Sequence, residues 1–373
     1  MSDAQPEPDR VEGAPHPRDT ARLIGQQAAE AEFLEAFNTG RLHHGWMITG
    51  PRGSGKATLA WSIARFLLTT PAPEDGPSLF GEAPKPDSLH VNPDHPVVHR
   101  MAAGAEPGLF VLRRGLNEKT GKLKTQITVD EARRLKGFFT LSATDGGRRV
   151  VIVDATDEMN PSAANALLKL LEEPPARTTL LLVTHQPSGL LPTIRSRCRV
   201  LRLAPLSPQD LGEALEQAGV VTDAPDELAA LAGGSVGAAV RLANLDGLAL
   251  YGEWIRLLGT LPNLDRGRAM ALSEAAATRG AEERRDLLVS LLDLALARMA
   301  RAGATGQPPF PQAAPHEAEI FARLAPDPHR ARHWAAQAQE IGQRLRHGLA
   351  VNLDPAALIL DTIFKLQKAA GSA

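Results

Sequence analysis

Cysteine is nearly absent: the 373 residues contain one, Cys198. A single thiol excludes a disulfide framework and a four-cysteine zinc site. It suits a reducing compartment, so a cytoplasmic setting is expected. Aromatic residues are scarce at 4%, with one tyrosine, which argues against a surface of base-stacking platforms. An excess of either charge is missing as well: 41 Lys+Arg face 43 Asp+Glu, for a net charge of −2. Free-standing DNA-binding modules are usually strongly basic, so that class is disfavoured, although a local basic patch is not. Apolar runs are short and broken by charge. None approaches the ~18 residues of a membrane span, so no membrane partner is expected. Residues 1–19 carry no apolar stretch of the secretory-leader kind.

What is present is 43% hydrophobic residues, enough for sizeable cores, on a chain long enough for two or three domains of ~100–200 residues. Residues 1–18 are rich in Pro, Asp and Glu and read as a disordered tail. The spacing predicts a helix over 23–40, a buried strand Gly45–Thr49, a Gly-rich turn, and a helix from Ala57 to about Leu68. Residues 71–108 are Pro/Gly-rich and read as a loop-rich insertion. Strands are expected at 109–114 and 123–129, joined by a hairpin-like turn over 117–122. A helix follows over 129–140, then the apolar strand Arg149–Asp154, a helix over 161–173 closed by Pro174-Pro175, and a strand over 178–184. Strands alternating with helices predict a doubly wound α/β domain. After Leu206 the periodicity is helical to the end. It includes strongly amphipathic stretches over 283–301 and 330–349 and a last helix from Pro355.

Gly50-Pro51-Arg52-Gly53-Ser54-Gly55-Lys56 follows a predicted strand and opens a predicted helix, the setting a phosphate-binding P-loop requires. The glycines allow backbone N–H groups to wrap phosphate, the helix N-terminus adds positive potential, and Lys56 would reach the outer phosphates. Candidate nucleotide-binding residues are therefore Gly50, Gly53, Ser54, Gly55 and Lys56. The motif wants a hydroxyl next, to hold Mg²⁺, and the chain has Ala57. Thr58 is one position on, rotated ~100° around the helix, and is the remaining hydroxyl candidate. Val150-Val151-Ile152-Val153-Asp154 has the form of the second, carboxylate-bearing strand of such sites, with Asp154 as the candidate magnesium contact. Ala155 follows, where hydrolysing enzymes of this kind usually carry Glu to polarise water.

Three further stretches are specific. They are Asp154-Ala155-Thr156-Asp157-Glu158-Met159, the run from Ala163-Ala164-Asn165-Ala166-Leu167-Leu168-Lys169 to Glu172-Glu173-Pro174-Pro175, and Leu191-Pro192-Thr193-Ile194-Arg195-Ser196-Arg197-Cys198. Together they resemble bacterial clamp-loader subunits of the AAA+ class, of the DNA polymerase III delta-prime type. The resemblance is close over residues 20–250 and looser beyond. It implies an AAA+ α/β domain over 19–205 (with 71–108 as the insertion), a helical lid domain over 206–247 and an all-α collar domain over 248–373. It implies that Arg197, in Ser-Arg-Cys, is an arginine finger pointing at ATP on a neighbouring subunit, a task that suits a planar, permanently charged guanidinium. The sensing arginine of hydrolysing relatives would fall near Gly237, with Arg241 one helical turn on. Thr184 or His185 falls near a second sensing position.

Ala57, Ala155 and Gly237 each remove a catalytic contribution, whereas Arg197 is kept. The resemblance thus implies an accessory subunit of the DNA-directed DNA polymerase (nucleotidyltransferase) holoenzyme, with weak or absent ATP binding and little hydrolysis of its own. Its expected partners are the other subunits of a hetero-pentamer, the sliding clamp and, through the complex, primer-template DNA. The alternative is an ATP-hydrolysing motor subunit of the same loader. Some relatives carry a four-cysteine zinc module between the two nucleotide motifs. This chain cannot, and His90, His95 and His99 in that region read as loop histidines, so no zinc is expected. Lys119, Lys122, Lys124, Arg133 and Arg134 are candidate phosphate contacts or solvated faces.

Overall fold

The computed structural model describes residues 7–20, 22–71, 85–117, 119–141 and 147–371. The chain divides into two compact units. The first comprises residues 1–219 and 234–237, and the second 220–233 and 238–373.

The first unit is built on five strands, all parallel, in the order β2-β3-β4-β1-β5. They are β1 (Gly45–Thr49), β2 (Leu109–Arg113), β3 (Arg149–Asp154), β4 (Thr178–Thr184) and β5 (Arg199–Arg202). The central strands are β-branched and leucine runs because both faces are covered. Alternate side chains go to opposite sides. Trp46, Ile48, Val150, Ile152, Leu181 and Val183 enter one core. With them pack the apolar faces of α1 (Gln27–Asn38), α2 (Lys56–Thr69) and α3 (Pro96–Ala102). Val151, Val153, Leu180 and Leu182 enter the other core, against α4 (Val129–Leu141) and α5 (Pro161–Glu172). Asn160 caps α5 by accepting from the Ala163 N–H, with Pro161 at the first helical position, a strong start signal. A short α6 (Pro192–Arg195) leads into β5, and α7 (Pro208–Gln217) is capped by Ser207. The expected doubly wound α/β architecture is present.

Three local expectations need correction. Residues 123–129 form no strand. Only single bridges pair Leu116 with Leu123 and Ile127 with Met159, and the turn is held by Asn117, whose N–H donates to the Lys122 carbonyl. The polar Lys122–Gln126 stretch has too few apolar residues to bury a strand face. Within 71–108, residues 72–84 lie outside the described part, but α3 is a helix that the prolines concealed. Pro96 occupies its first turn, and His95 caps it by accepting from the Val97 N–H. Residues 7–18, read as a disordered tail, are ordered against the α/β unit through ion pairs described below; residues 1–6 lie outside the described part.

The second unit is helical: α8 (Pro225–Ala232), α9 (Val236–Asn244, its first two residues belonging with the first unit), α10 (Gly247–Thr260), α11 (Arg266–Ala277), α12 (Glu282–Thr305), α13 (Glu317–Leu324), α14 (Pro328–Ala350) and α15 (Pro355–Gly371). The long α12 and α14 pack on each other, and α11 packs on α15. Trp254 and Trp334 are fully buried and donate to the Leu288 and Leu324 carbonyls. A fully buried carboxylate in this core, Glu317, accepts from Tyr251, Arg298 and the Ala313 N–H. That set of partners is what allows a charge to sit there.

Candidate nucleotide site and arginine edge

The P-loop joins β1 to α2 at the carboxyl ends of the strands, where open α/β sheets bind ligands. Gly53 and Gly55 adopt φ of 74° and 89°, a region that L side chains avoid. Lys56 is buried and turned back on its own loop: its ammonium donates to the Gly50 carbonyl at 2.9 Å and the Pro51 carbonyl at 2.5 Å. Burial lowers its pKa to about 8, against the pull of Asp154 and Asp157. Ser54 donates to the Pro51 carbonyl. Ala57 and Thr58 are the first residues after Lys56 in α2, and both are half-buried.

Asp154 ends β3, buried. Burial pushes its carboxyl up to about 7, with the charges of Asp9 and Glu158 adding to the effect. Asp157 accepts from the His185 N–H. Of the two candidates at the end of β4, Thr184 is fully buried. The His185 imidazole lies in the fields of Lys56, Asp157 and Arg52 and is held down to about 4, first by burial and then by Lys56. His185 is thus the one at the loop.

Gly237 does more than omit an arginine. Its N–H donates to the Gly53 carbonyl at 3.2 Å, Ser235 donates to the Arg52 carbonyl at 2.8 Å, and a β-carbon on Gly237 would meet Gly53 Cα at 3.0 Å. Any larger side chain there would press on the loop backbone, which would have to give way. Arg241 points elsewhere, donating to the Glu283 carbonyl.

A hydrolysing magnesium–nucleotide fits this set of residues poorly. The metal-binding hydroxyl is replaced by Ala57, the water-polarising carboxylate by Ala155, and Asp154 lies in surroundings that favour its protonated form. Phosphate would also have to draw Lys56 off two carbonyls.

Arg197 lies at the opposite edge. It precedes β5, and its carbonyl is 3.1 Å from where a β-carbon on Gly45, the first residue of β1, would stand. Five steps at roughly 3.3 Å separate Gly45 from Gly50, about 16 Å, beyond the reach of one arginine side chain. Arg197 donates to the Thr193 carbonyl and pairs with Glu172 at 3.0 Å, both side chains partly exposed. Such a pair is worth at most about 1 kcal/mol, so the guanidinium can be drawn away cheaply.

Among the candidate phosphate contacts, Lys122 and Lys124 line a surface depression with Asn117 and Thr120. Lys124 is paired with Glu131 at 2.6 Å and Arg133 with Asp130 at 3.1 Å. Sequence reasoning missed Arg113, Glu172 and Ser235, all ordinary polar residues whose roles come from partners distant in the chain. It also missed Glu7, Asp9 and His16, which composition disguised as tail.

A family model described as DNA polymerase III, delta subunit, matches residues 25–207. DNA polymerase III subunit delta' of Pseudomonas aeruginosa is 41% identical over 204 residues, 53% of this chain and 55% of that one. Over that region the chain is similar to DNA polymerase III delta-prime subunits. The Escherichia coli delta' subunit is 34% identical over 214 residues, 57% of this chain and 58% of that one. A gamma/tau subunit of Mycobacterium bovis is 30% identical over 211 residues, 56% of this chain and 33% of that one. The chain thus spans little more than half the length of its delta-prime relatives. Among solved structures, a gamma subunit-related protein of Thermotoga maritima aligns over 91% of this chain and 99% of that one, with 18% identity and a TM-score of 0.41. The first unit has a parallel five-stranded α/β sheet with a Gly-rich loop between β1 and α2, and the region after it is largely helical.

Proposed function

We propose that this chain is a delta-prime-type subunit of a DNA polymerase III clamp loader, which helps load the sliding clamp on primed DNA while hydrolysing little or no ATP. In this reading it gives Arg197 to the ATP site of a neighbouring subunit. The observation that carries the reading is the opposition of two edges. Arg197 stands on the edge of the sheet facing away from its own P-loop, held by one weak exposed pair. The P-loop edge lacks the hydroxyl and carboxylate that hydrolysis needs. A guanidinium offered to another subunit's phosphates stabilises charge in the transition state and is worth ~10³–10⁵ in rate at the site it serves. Lys122 and neighbouring cations would follow the DNA backbone, a contact that weakens with salt.

The test is a loader reassembled from purified subunits, with DNA- and clamp-stimulated ATP hydrolysis compared for wild type and Arg197→Ala. Size-exclusion chromatography checks assembly, and the isolated chain is assayed alongside. A silent isolated chain and a large loss in the assembled variant are expected. Brisk hydrolysis by the isolated chain, or an unchanged rate in an intact complex, would make it an ATPase in its own right.

A further inference from the structure

The segment over residues 7–20 packs on the first unit at three places, at the end of β2, beside Gly237 and along α2. At its near end Glu7 and Asp9 clamp Arg113 at 2.5 and 2.9 Å. Arg113 is in register with Asp154 across β2 and β3, and the Asp9 charge is felt at Asp154. In the middle, Val11 comes within 3.7 Å of a β-carbon position on Gly237, the residue that lies on Gly53. At its far end Arg65 of α2 donates to the Arg18 and Thr20 carbonyls, and the His16 ring meets Trp61 of α2 edge-on at 6.0 Å.

Within the segment the folding is specific. His16 is buried, and its Nε2 lies 3.2 Å from Glu7 and 3.3 Å from Asp9. The Arg18 N–H donates to His16 Nδ1, which puts the ring proton on Nε2, facing the carboxylates. Arg18 pairs with Glu7 at 2.6 Å. The Asp9 side chain is 0% exposed. Burial opposes its ionisation, but the His16 ring N–H facing it and the Arg113 guanidinium outweigh this and hold its carboxyl low. A proline-rich acidic stretch has no reason to bury carboxylates unless fixed cations receive them.

We infer that residues 7–20 are an intramolecular occupant of this chain's own nucleotide site, an acidic peptide that competes with nucleoside triphosphate for the P-loop region. The inference rests on reading residues 50–56 as a nucleotide loop. Carboxylates on Arg113 place negative charge beside Asp154 and would repel an incoming triphosphate. The Val11 contact covers the Gly53–Gly237 junction. Occupancy weakens apparent affinity by the fraction of time the site is free. A segment docked 90–99% of the time therefore costs about 10–100-fold in nucleotide affinity.

The test uses the full chain. Isothermal titration with ATP, with and without Mg²⁺, compares wild type with Glu7→Arg/Asp9→Arg, whose new cations face Arg113 and cannot dock. The variant is expected to bind at least tenfold more tightly, and adding Lys56→Ala should remove the gain. Amide exchange in residues 7–20 of the wild type should be slow and should speed up at saturating ATP. Equal affinities, no binding by either protein, a gain that survives Lys56→Ala, or free-chain exchange in 7–20 without ATP would each overturn the inference. None of these touches the arginine-finger reading, because the Arg197→Ala assay reads a different subunit's site.

Discussion

The two edges of one sheet have opposite characters. At the carboxyl edge the charged and backbone groups of the P-loop are taken: Lys56 by two carbonyls, the Arg52 carbonyl by Ser235, the Gly53 carbonyl by Gly237, and nearby Arg113 by Glu7 and Asp9. At the amino edge Arg197 is held by one carbonyl and one half-exposed carboxylate. A site that must turn over keeps groups free for its substrate. A site whose groups satisfy each other has become architecture. The readily detached arginine is on the amino edge.

Four changes break or sharpen that contrast. The largest effect is expected from Arg197→Lys in the reassembled loader. A lysine keeps the charge but loses the planar fork, so it should restore less than about a tenth of the ATPase that the finger supplies. Single-turnover hydrolysis measures it.

Next is Asp154→Asn, read as stability against pH. The folded carboxyl keeps its proton up to about 7, against an ordinary aspartate value of 3.8. Between those values the folded state binds more protons than the unfolded one, so stability falls as pH rises through the window. The asparagine variant should match wild type below pH 4 and exceed it above pH 7 by up to about 4 kcal/mol, at ~1.4 kcal/mol per pH unit. Denaturant melts at pH 4 and pH 8 check this, and a pH-independent difference would mean that Asp154 is not held neutral.

Gly53→Ala should cost about 1–3 kcal/mol, from its positive φ and from the crowding by Ser235 and Gly237. Gly40→Ala, with a similar φ of 66° but nothing nearby, separates the two causes in a thermal melt. Smallest is Glu172→Gln, expected to change stability by no more than about 1 kcal/mol while leaving complex ATPase at or above the wild-type rate. A large loss would mean that Glu172 positions the finger rather than merely parking it.

Much of this was legible because the deciding signals are local. The Gly-rich loop between strand and helix, the run ending in Asp154, and the helix start at Pro161 all fell where expected, since each is fixed by neighbours within a few residues. Ala57 and Ala155 were readable as missing polar groups without any coordinates. The four-residue β5 escaped detection because its Arg–Val–Leu–Arg pattern is short and its pairing with β1 is set by residues some 150 positions earlier. The order in residues 7–18 escaped for the same reason: the composition is that of a tail, and Arg113, a hundred residues away in sequence, is the fixed cation on which its carboxylates settle. Gly237 was legible as an absence, but its packing against Gly53 was not.

The placement of β1 has a consequence for how this protein is made. Gly45 pairs with Leu180 and Trp46 with Arg199, so the strand's two partners are the last two of the sheet to be synthesised. At about 5–20 residues per second, the ribosome needs roughly 7–27 s to add the 135 residues from Gly45 to Leu180. Through that interval an apolar strand with both edges open waits on the nascent chain, so the β1 segment is where a ribosome-associated chaperone would be most needed.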